Sequence, residues 1–206
     1  MHLPDRPHPR IIVAGVKKIG LTGPIGGGKS TAAEILRQAG VPVLDADQLA
    51  HEGLFEESAA ICAAFPEACA SGVPDRKKLA AAVFKDDAAR KKLEAILHPY
   101  VRRRLEEALA RLDAEGAPLV VLEIPLLFET GWEKNLDGVL VVTAPAELRY
   151  QRLKARGISE EEAKRREAAQ LPPEEKAQRA DWVIENAGSR AELAEKVLRW
   201  LQEVQP

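Results

Sequence analysis

Aromatic side chains make up only 4% of this 206-residue chain, and its three tryptophans, Trp132, Trp182 and Trp200, are scattered. So few rings build no stacking platform for nucleic acid. Charge of one sign is equally lacking, since 30 basic against 32 acidic residues leave a formal charge of −2. That balance excludes a chain made to coat nucleic acid. The two cysteines, Cys62 and Cys69, lie seven apart with no nearby His or second Cys pair at metal-binding spacing. Inert thiols in a reducing compartment are therefore expected. No apolar run approaches the roughly 18 residues that span a bilayer, and residues 1–10, MHLPDRPHPR, lack the basic start and apolar stretch of a signal peptide. These absences point to a cytoplasmic protein with neither a membrane nor a nucleic-acid partner. Its oligomeric state stays open.

What is present is material for a core. A hydrophobic fraction of 46% over 206 residues suits one domain with a small insertion. Short apolar runs, IIVAGV and then IGLTG, precede a glycine-rich loop, and the second run is the expected first core strand. The helix KSTAAEILRQAG follows, with Ala33, Leu36 and Ala39 at helical spacing and Gly40 as its stop. VPVLDAD, PLVVLEIPLLFE, LDGVLVVTAP and DWVIEN are the further strand signals. Between them, residues 53–115 turn to Ala, Leu, Lys and Glu. There Leu93, Ile96, Leu97, Val101, Leu105, Leu109 and Leu112 share one helical face. The last helix carries Leu193, Val197, Leu198 and Leu201. Strands alternating with helices argue for an α/β fold with a parallel sheet covered on both sides.

The stretch GPIGGGKST, Gly23 to Thr31, carries the chemistry. Gly23, Gly28, Lys29 and Ser30 fit the pattern G, four residues, G, K, then S or T, in the required setting between a strand and a helix. Glycines let backbone N–H groups turn towards phosphate oxygens, Lys29 reaches the outer phosphates, and the Ser30 hydroxyl completes a magnesium shell. The start of the helix adds its positive dipole end. A nucleoside triphosphate is thus the expected ligand, but a kinase, a GTPase and an ATP-driven switch share the loop. No Asn-Lys-x-Asp tetrapeptide occurs to read guanine. In VLDADQLAHE, Asp45 and Asp47 lie two apart at the end of the second strand, and both face one side if the strand persists. Asp47 is then placed to accept a proton from an acceptor hydroxyl or to hold magnesium. The other reading is that it only caps a helix starting at Gln48.

The segments LTGPIGGGKST, VLDADQLAHE, ILHPYV, EIPLLFE, QRLKARGISEEEAKRREAAQ and ADWVIENAGS occur in the order and at the approximate spacing of the dephospho-coenzyme A kinases. From Ile19 onward the chain resembles that family, relatives of the nucleoside monophosphate kinases. The resemblance implies a P-loop NTPase fold and transfer of the ATP γ-phosphate to the ribose 3′-hydroxyl of dephospho-coenzyme A. It implies a single domain, 1–206, with a nucleotide-binding core at 19–52 and 116–150, an acceptor-binding insertion at 53–115, an Arg-rich lid at 151–180 and a closing strand and helix at 181–206. Asp47 matches the general base, Lys29 the phosphate ligand and Arg152 an arginine that steadies the transferring group. Gly23, Gly26, Gly27, Gly28, Lys29, Ser30 and Thr31 bind the phosphates, the turn with Asn186 and Gly188 meets the adenine, and Ser30 and Asp47 hold Mg2+ beside ATP. Arg156, Arg166 and Arg179 are supporting lid candidates, or else a solvated, salt-bridged face. Glu123 stands where the family more often has Asp, so at most an indirect metal role is expected. Pro24 and Gly27 also depart from the commoner loop. His98 either belongs to a family motif or simply precedes the helix-bending Pro99.

Overall fold

The computed structural model describes residues 15–205. Most of the IIVAGV run therefore lies outside the described residues. Strand β1 (Lys17–Thr22) buries its last four residues and feeds the glycine loop. Helix α1 (Lys29–Gln38) buries Ala32, Ala33, Ile35 and Leu36, the i, i+3, i+4 pattern of a helix lying on a sheet. Strand β2 (Val43–Asp45) is only three residues long. Helices α2 (Ala46–Glu56) and α3 (Ser58–Ala64) follow, then a two-stranded hairpin of β3 (Cys69–Ala70) and β4 (Val73–Pro74), and helices α4 (Arg76–Lys85) and α5 (Asp87–Ala114). Strand β5 (Leu119–Glu123), strand β6 (Gly138–Thr143), helices α6 (Ala146–Ala155), α7 (Glu160–Ala168) and α8 (Pro173–Arg179), strand β7 (Trp182–Glu185) and helix α9 (Arg190–Val204) complete the order.

The larger sheet runs β2-β5-β1-β6-β7, with every neighbouring pair parallel. Because side chains alternate across the pleat, strands β5 and β6 feed two cores, while β1 and β7 add to the first. Ile19, Leu21, Val121, Leu140 and Val142 pack with Leu36, Leu193, Val197 and Trp200 on the α1 and α9 side. Val120, Leu122, Val139 and Val141 pack with Leu105, Leu112 and Leu127 on the other. The parallel sheet covered on both faces is the arrangement of a P-loop NTPase fold.

The 28-residue α5 divides its apolar face near Pro99. Leu93, Ile96 and Leu97 pack on a separate cluster of Ile61, Phe65, Ala68 and Leu79. Val101, Leu105, Leu109 and Leu112 join the main sheet. His98 is exposed on this helix. The small hairpin within the insertion lacks the apolar length of the other strands, which is why pattern alone missed it. Two expectations fail here. Leu198 is 41% exposed, because the buried face of α9 runs through Leu193, Val197, Trp200, Leu201 and Val204 instead. Cys62 and Cys69 are not free thiols but form a disulfide, since α3 and β3 fold back and bring their Cα atoms to 5.6 Å. Helix α6 also runs through the expected start of the lid at 151.

One buried charge anchors the segment after α7. Lys176 is fully buried, and its ammonium donates to the Pro125 carbonyl at 3.1 Å and the Gln170 side chain at 3.1 Å, and pairs with Glu129 at 2.9 Å. Burial lowers its pKa, and Glu129 opposes that shift. Glu129 also accepts from the Leu171 N–H at 2.8 Å, so the loop after β5 and the chain entering α8 share one ion pair. Breaking a buried pair from one side strands the other charge. Lys176→Met should therefore lower unfolding free energy by about 3 kcal/mol, the lower end of the usual range because Glu129 keeps some water contact. Urea unfolding checks this; an unchanged midpoint contradicts it.

Candidate active site

The glycine loop leaves the carboxyl end of β1, in the middle of the sheet, and ends at the first turn of α1. In an open α/β sheet this is the end where ligands bind. The loop's carbonyl groups are held from behind. The Gly27 N–H donates to the Pro24 carbonyl at 3.0 Å, Asn186 Nδ2 donates to the Gly27 carbonyl at 3.1 Å, and the Ala32 N–H donates to the Gly28 carbonyl at 3.0 Å. Gly28, at φ 104°, occupies the N-cap of α1, where a Cβ would lie 2.1 Å from Asn186 Nδ2. Only glycine fits both the left-handed backbone and that approach. The first N–H groups of α1 have no intrahelical acceptors, and the dipole makes them an anion site. The cavity over the loop, about 220 Å³, is lined by Gly26, Gly28, Lys29, Ser30 and Thr31 below and by Arg156, Ile158 and Arg166 above. It is smaller than the roughly 300–1,000 Å³ of a whole-ligand pocket, a size suited to the phosphate end of a nucleotide.

Carboxylates form the opposite wall. Glu123 ends β5, is 5% exposed, accepts the Ser30 hydroxyl at 3.2 Å, and faces Lys29 at 3.9 Å and Arg37 at 3.7 Å. Burial nevertheless raises its pKa, with Lys29 opposing. Asp45 pairs in register with Glu123 across β2 and β5. Here the second strand does not persist. The helix begins at Ala46, one residue after Asp45, whose carboxylate accepts from the N–H groups of Asp47 at 2.9 Å and Gln48 at 3.1 Å. Asp45, not Asp47, is therefore the cap. The alternative reading of Asp47 as the cap is thereby removed, and the shared strand face expected if β2 persisted does not form. Asp47 sits in the first turn of α2 with its carboxylate uncommitted to capping. It reaches solvent, yet surrounding protein desolvates the carboxyl and raises its pKa, the Asp45 charge adds to the rise, and Lys29 opposes it.

The lid arginines separate into groups. Arg156 and Arg166 line the loop cavity. Arg152 donates to the Asn186 carbonyl at 2.9 Å instead, while its second terminal nitrogen is buried without a partner. Arg179 pairs with Glu133 at 2.7 Å and lies 4.6 Å over the Phe128 ring, away from the loop. Asn186 faces the phosphate loop with its side chain, and Gly188 precedes the Ser189 N-cap of α9, where a Cβ would strike Glu192. Arg149 was not singled out from the sequence, yet it is 3% exposed and donates to the loop carbonyl of Ile25 at 3.3 Å.

Oxygen donors dominate this wall: the Ser30 hydroxyl and the carboxylates of Asp45, Asp47 and Glu123. Among the described residues no group of three or more His, Cys, Asp or Glu closes a metal cage alone. Such a set fits magnesium, which takes one or two protein oxygens and completes its shell with phosphates and water.

A family model for dephospho-CoA kinase matches residues 17–192. The chain belongs to the dephospho-CoA kinase family. It is 53% identical over 176 residues to a dephospho-CoA kinase of Thermus thermophilus, covering 85% of each chain. It is 47% identical over 195 residues to that of Anaeromyxobacter dehalogenans, covering 92% of each. Its fold is similar to a solved structure from Thermus thermophilus, with a TM-score of 0.84 and 50% identity over 93% of this chain and all of the other. The dephospho-CoA kinase from Campylobacter jejuni gives a TM-score of 0.71 at 33% identity, covering 91% and 96%. This dephospho-CoA kinase family member is thus a kinase, a transferase by class.

Forcing a side chain into the loop should cost this kinase its nucleotide. Gly28→Ala strains a left-handed residue by about 1–3 kcal/mol, roughly a 5–150-fold loss of ATP affinity if the loop relaxes out of shape. Calorimetric titration with ATP checks it, and wild-type affinity would show that Asn186 yields freely.

Proposed function

We propose that the chain moves the ATP γ-phosphate onto the ribose 3′-hydroxyl of dephospho-coenzyme A, with Asp47 as general base, as the last step of coenzyme A biosynthesis. The observation that carries this reading is the Asp47 carboxylate, left uncommitted by the Asp45 cap and close enough to Lys29 for that ammonium to oppose the rise of its pKa. An acceptor hydroxyl hydrogen-bonded to Asp47 gives its proton to that carboxylate as its oxygen bonds to the γ-phosphorus, and the bond from the γ-phosphorus to the β–γ bridging oxygen breaks to release ADP. A raised carboxyl pKa makes Asp47 a stronger base than an ordinary aspartate.

The remaining chemistry is charge management. Phosphoryl transfer spreads negative charge over three oxygens and needs positioning and electrostatic stabilisation more than covalent help. Lys29 and the α1 N-terminus meet that charge from below, and Arg156 and Arg166 from above. Arg152, our first candidate for the same work, supports the site through the Asn186 carbonyl in this structure, and its other terminal nitrogen is buried without a partner. Ser30 and Asp47 would hold Mg2+, with Glu123 fixing the serine hydroxyl. When bound, the cation neutralises phosphate charge. Gly23, Gly26, Gly27, Gly28 and Thr31 shape the phosphate cradle, and Asn186 and Gly188 form the adenine-side turn.

The insertion at 53–115 is the proposed acceptor-binding region, and residues 151–180 the proposed lid over a core at 19–52, 116–150 and 181–206. A cytoplasmic location is part of the proposal; among the described residues no helix is long and apolar enough to cross a membrane. Asp47→Asn tests the base. Turnover of dephospho-coenzyme A should fall about 10²–10⁴-fold while ATP affinity stays near wild type. Near-normal turnover would remove Asp47 from that role.

A further inference from the structure

Arginine is rarely buried without partners, yet Arg149 on α6 is 3% exposed and plays no part in the chemistry above. Its guanidinium touches three separate parts of the fold. Nε donates to the Ala144 carbonyl at 3.1 Å, immediately after β6. A terminal nitrogen donates to the Ile25 carbonyl at 3.3 Å, in the phosphate loop. The same nitrogen forms an ion pair with Glu167 on α7. The other Glu167 oxygen accepts a short hydrogen bond from the Tyr150 hydroxyl, and the Tyr150 ring lies 5.6 Å from the Arg149 guanidinium. The α6 backbone is equally close to the loop. A Cβ on Gly26 would come within 2.8 Å of the Arg149 carbonyl oxygen.

We propose that Arg149 is a positioning residue that joins the phosphate loop to helix α7 through Glu167, and so sets Arg166 above the phosphates. Glu167 directly follows Arg166 in α7, so docking Glu167 fixes where Arg166 reaches the cavity. A planar fork serves this task because it donates along several fixed directions at once, which a single ammonium on a flexible stem does not. The pair also biases α7 towards the loop. Lifting α7 away would leave a buried guanidinium with neutral carbonyls alone, and a buried charge without its counter-ion is costly. On the loop side, the bond to the Ile25 carbonyl means that a change at α7 is felt where the phosphate is held. The inference rests on α7 being a cover over the phosphate loop of a kinase, and it adds the device that seats the cover.

Glu167→Ala is the principal test because Glu167 is partly exposed and its loss leaves no cavity in the core; Arg149→Lys is the second variant. Two measurements are made on the full chain. The first is kcat and KM for ATP and for dephospho-coenzyme A. The second needs no acceptor: the rate of trypsin cleavage after Lys164, Arg165 or Arg166 with ATP and magnesium present. Both variants should lower kcat by about tenfold or more, as a displaced charge does in a positioned site. KM for ATP should change much less, and ATP should protect α7 from trypsin less well than in the wild type. A folded Glu167→Ala protein with wild-type kcat and wild-type protection overturns the proposal. So does a Glu167→Ala protein whose melting temperature falls below the assay temperature, because the pair would then serve stability alone. If wild-type protein shows ATP protection but fails to phosphorylate dephospho-coenzyme A, the acceptor assignment falls while the coupling is still judged by the protection assay.

Discussion

A loop that turns its N–H groups towards an anion leaves its carbonyl groups facing the protein, and buried carbonyls need donors. Much of this structure follows from meeting that demand. The Gly27 N–H serves the Pro24 carbonyl, Arg149 serves Ile25, Asn186 serves Gly27, and Ala32 serves Gly28. These donors come from the loop itself, from α6, from the end of β7 and from α1. Three further pieces of chain therefore converge on the phosphate loop, and none can move far without unpairing a carbonyl. Arg152 extends the same network one step, by donating to the carbonyl of the Asn186 that braces the loop.

The second constraint is charge. Glu123 is a buried acid beside the lysine that should meet phosphate, and Lys29, Arg37 and the Ser30 hydroxyl surround it. Without nucleotide, this carboxylate gives Lys29 a partner; with phosphate nearby, Lys29 has a stronger one. Asp45 and Asp47 complete an acidic wall facing a basic floor and a basic cover. On the proposed reading, an acceptor hydroxyl entering between them meets Asp47 as base on one side and an electrophilic phosphorus on the other. That polarity suits transfer to an acceptor better than a slow switch, which needs neither base nor cover.

The loop, the helix it opens and the buried strands were legible in the sequence because each rests on a local pattern. GPIGGGKST needs only a preceding strand, and LVVLE and GVLVVT are short apolar runs bounded by turn formers. The exchange of roles between Asp45 and Asp47 was not legible. It turns on β2 ending after three residues, and strand ends are set by register with β5 rather than by propensity. Arg149 was hidden for a similar reason. In a segment crowded with arginines nothing local distinguishes the one that tertiary packing buries. The apolar stripe of α5 was visible, but its division between two clusters depends on where α3 and α4 fold back. Likewise the Cys62–Cys69 pair has a spacing that fits inert thiols as readily as a closed loop, and only the turn before β3 decides between them.

Acceptor-dependent release of ADP tests the central claim most directly. With ATP and magnesium, parallel reactions would contain dephospho-coenzyme A, AMP, CMP or no acceptor, and phosphorus NMR would locate any new phosphate. The account predicts fast release only with dephospho-coenzyme A, with the new signal that of a ribose 3′-phosphomonoester. Fast release with another acceptor, or equal slow release in every reaction, would contradict it.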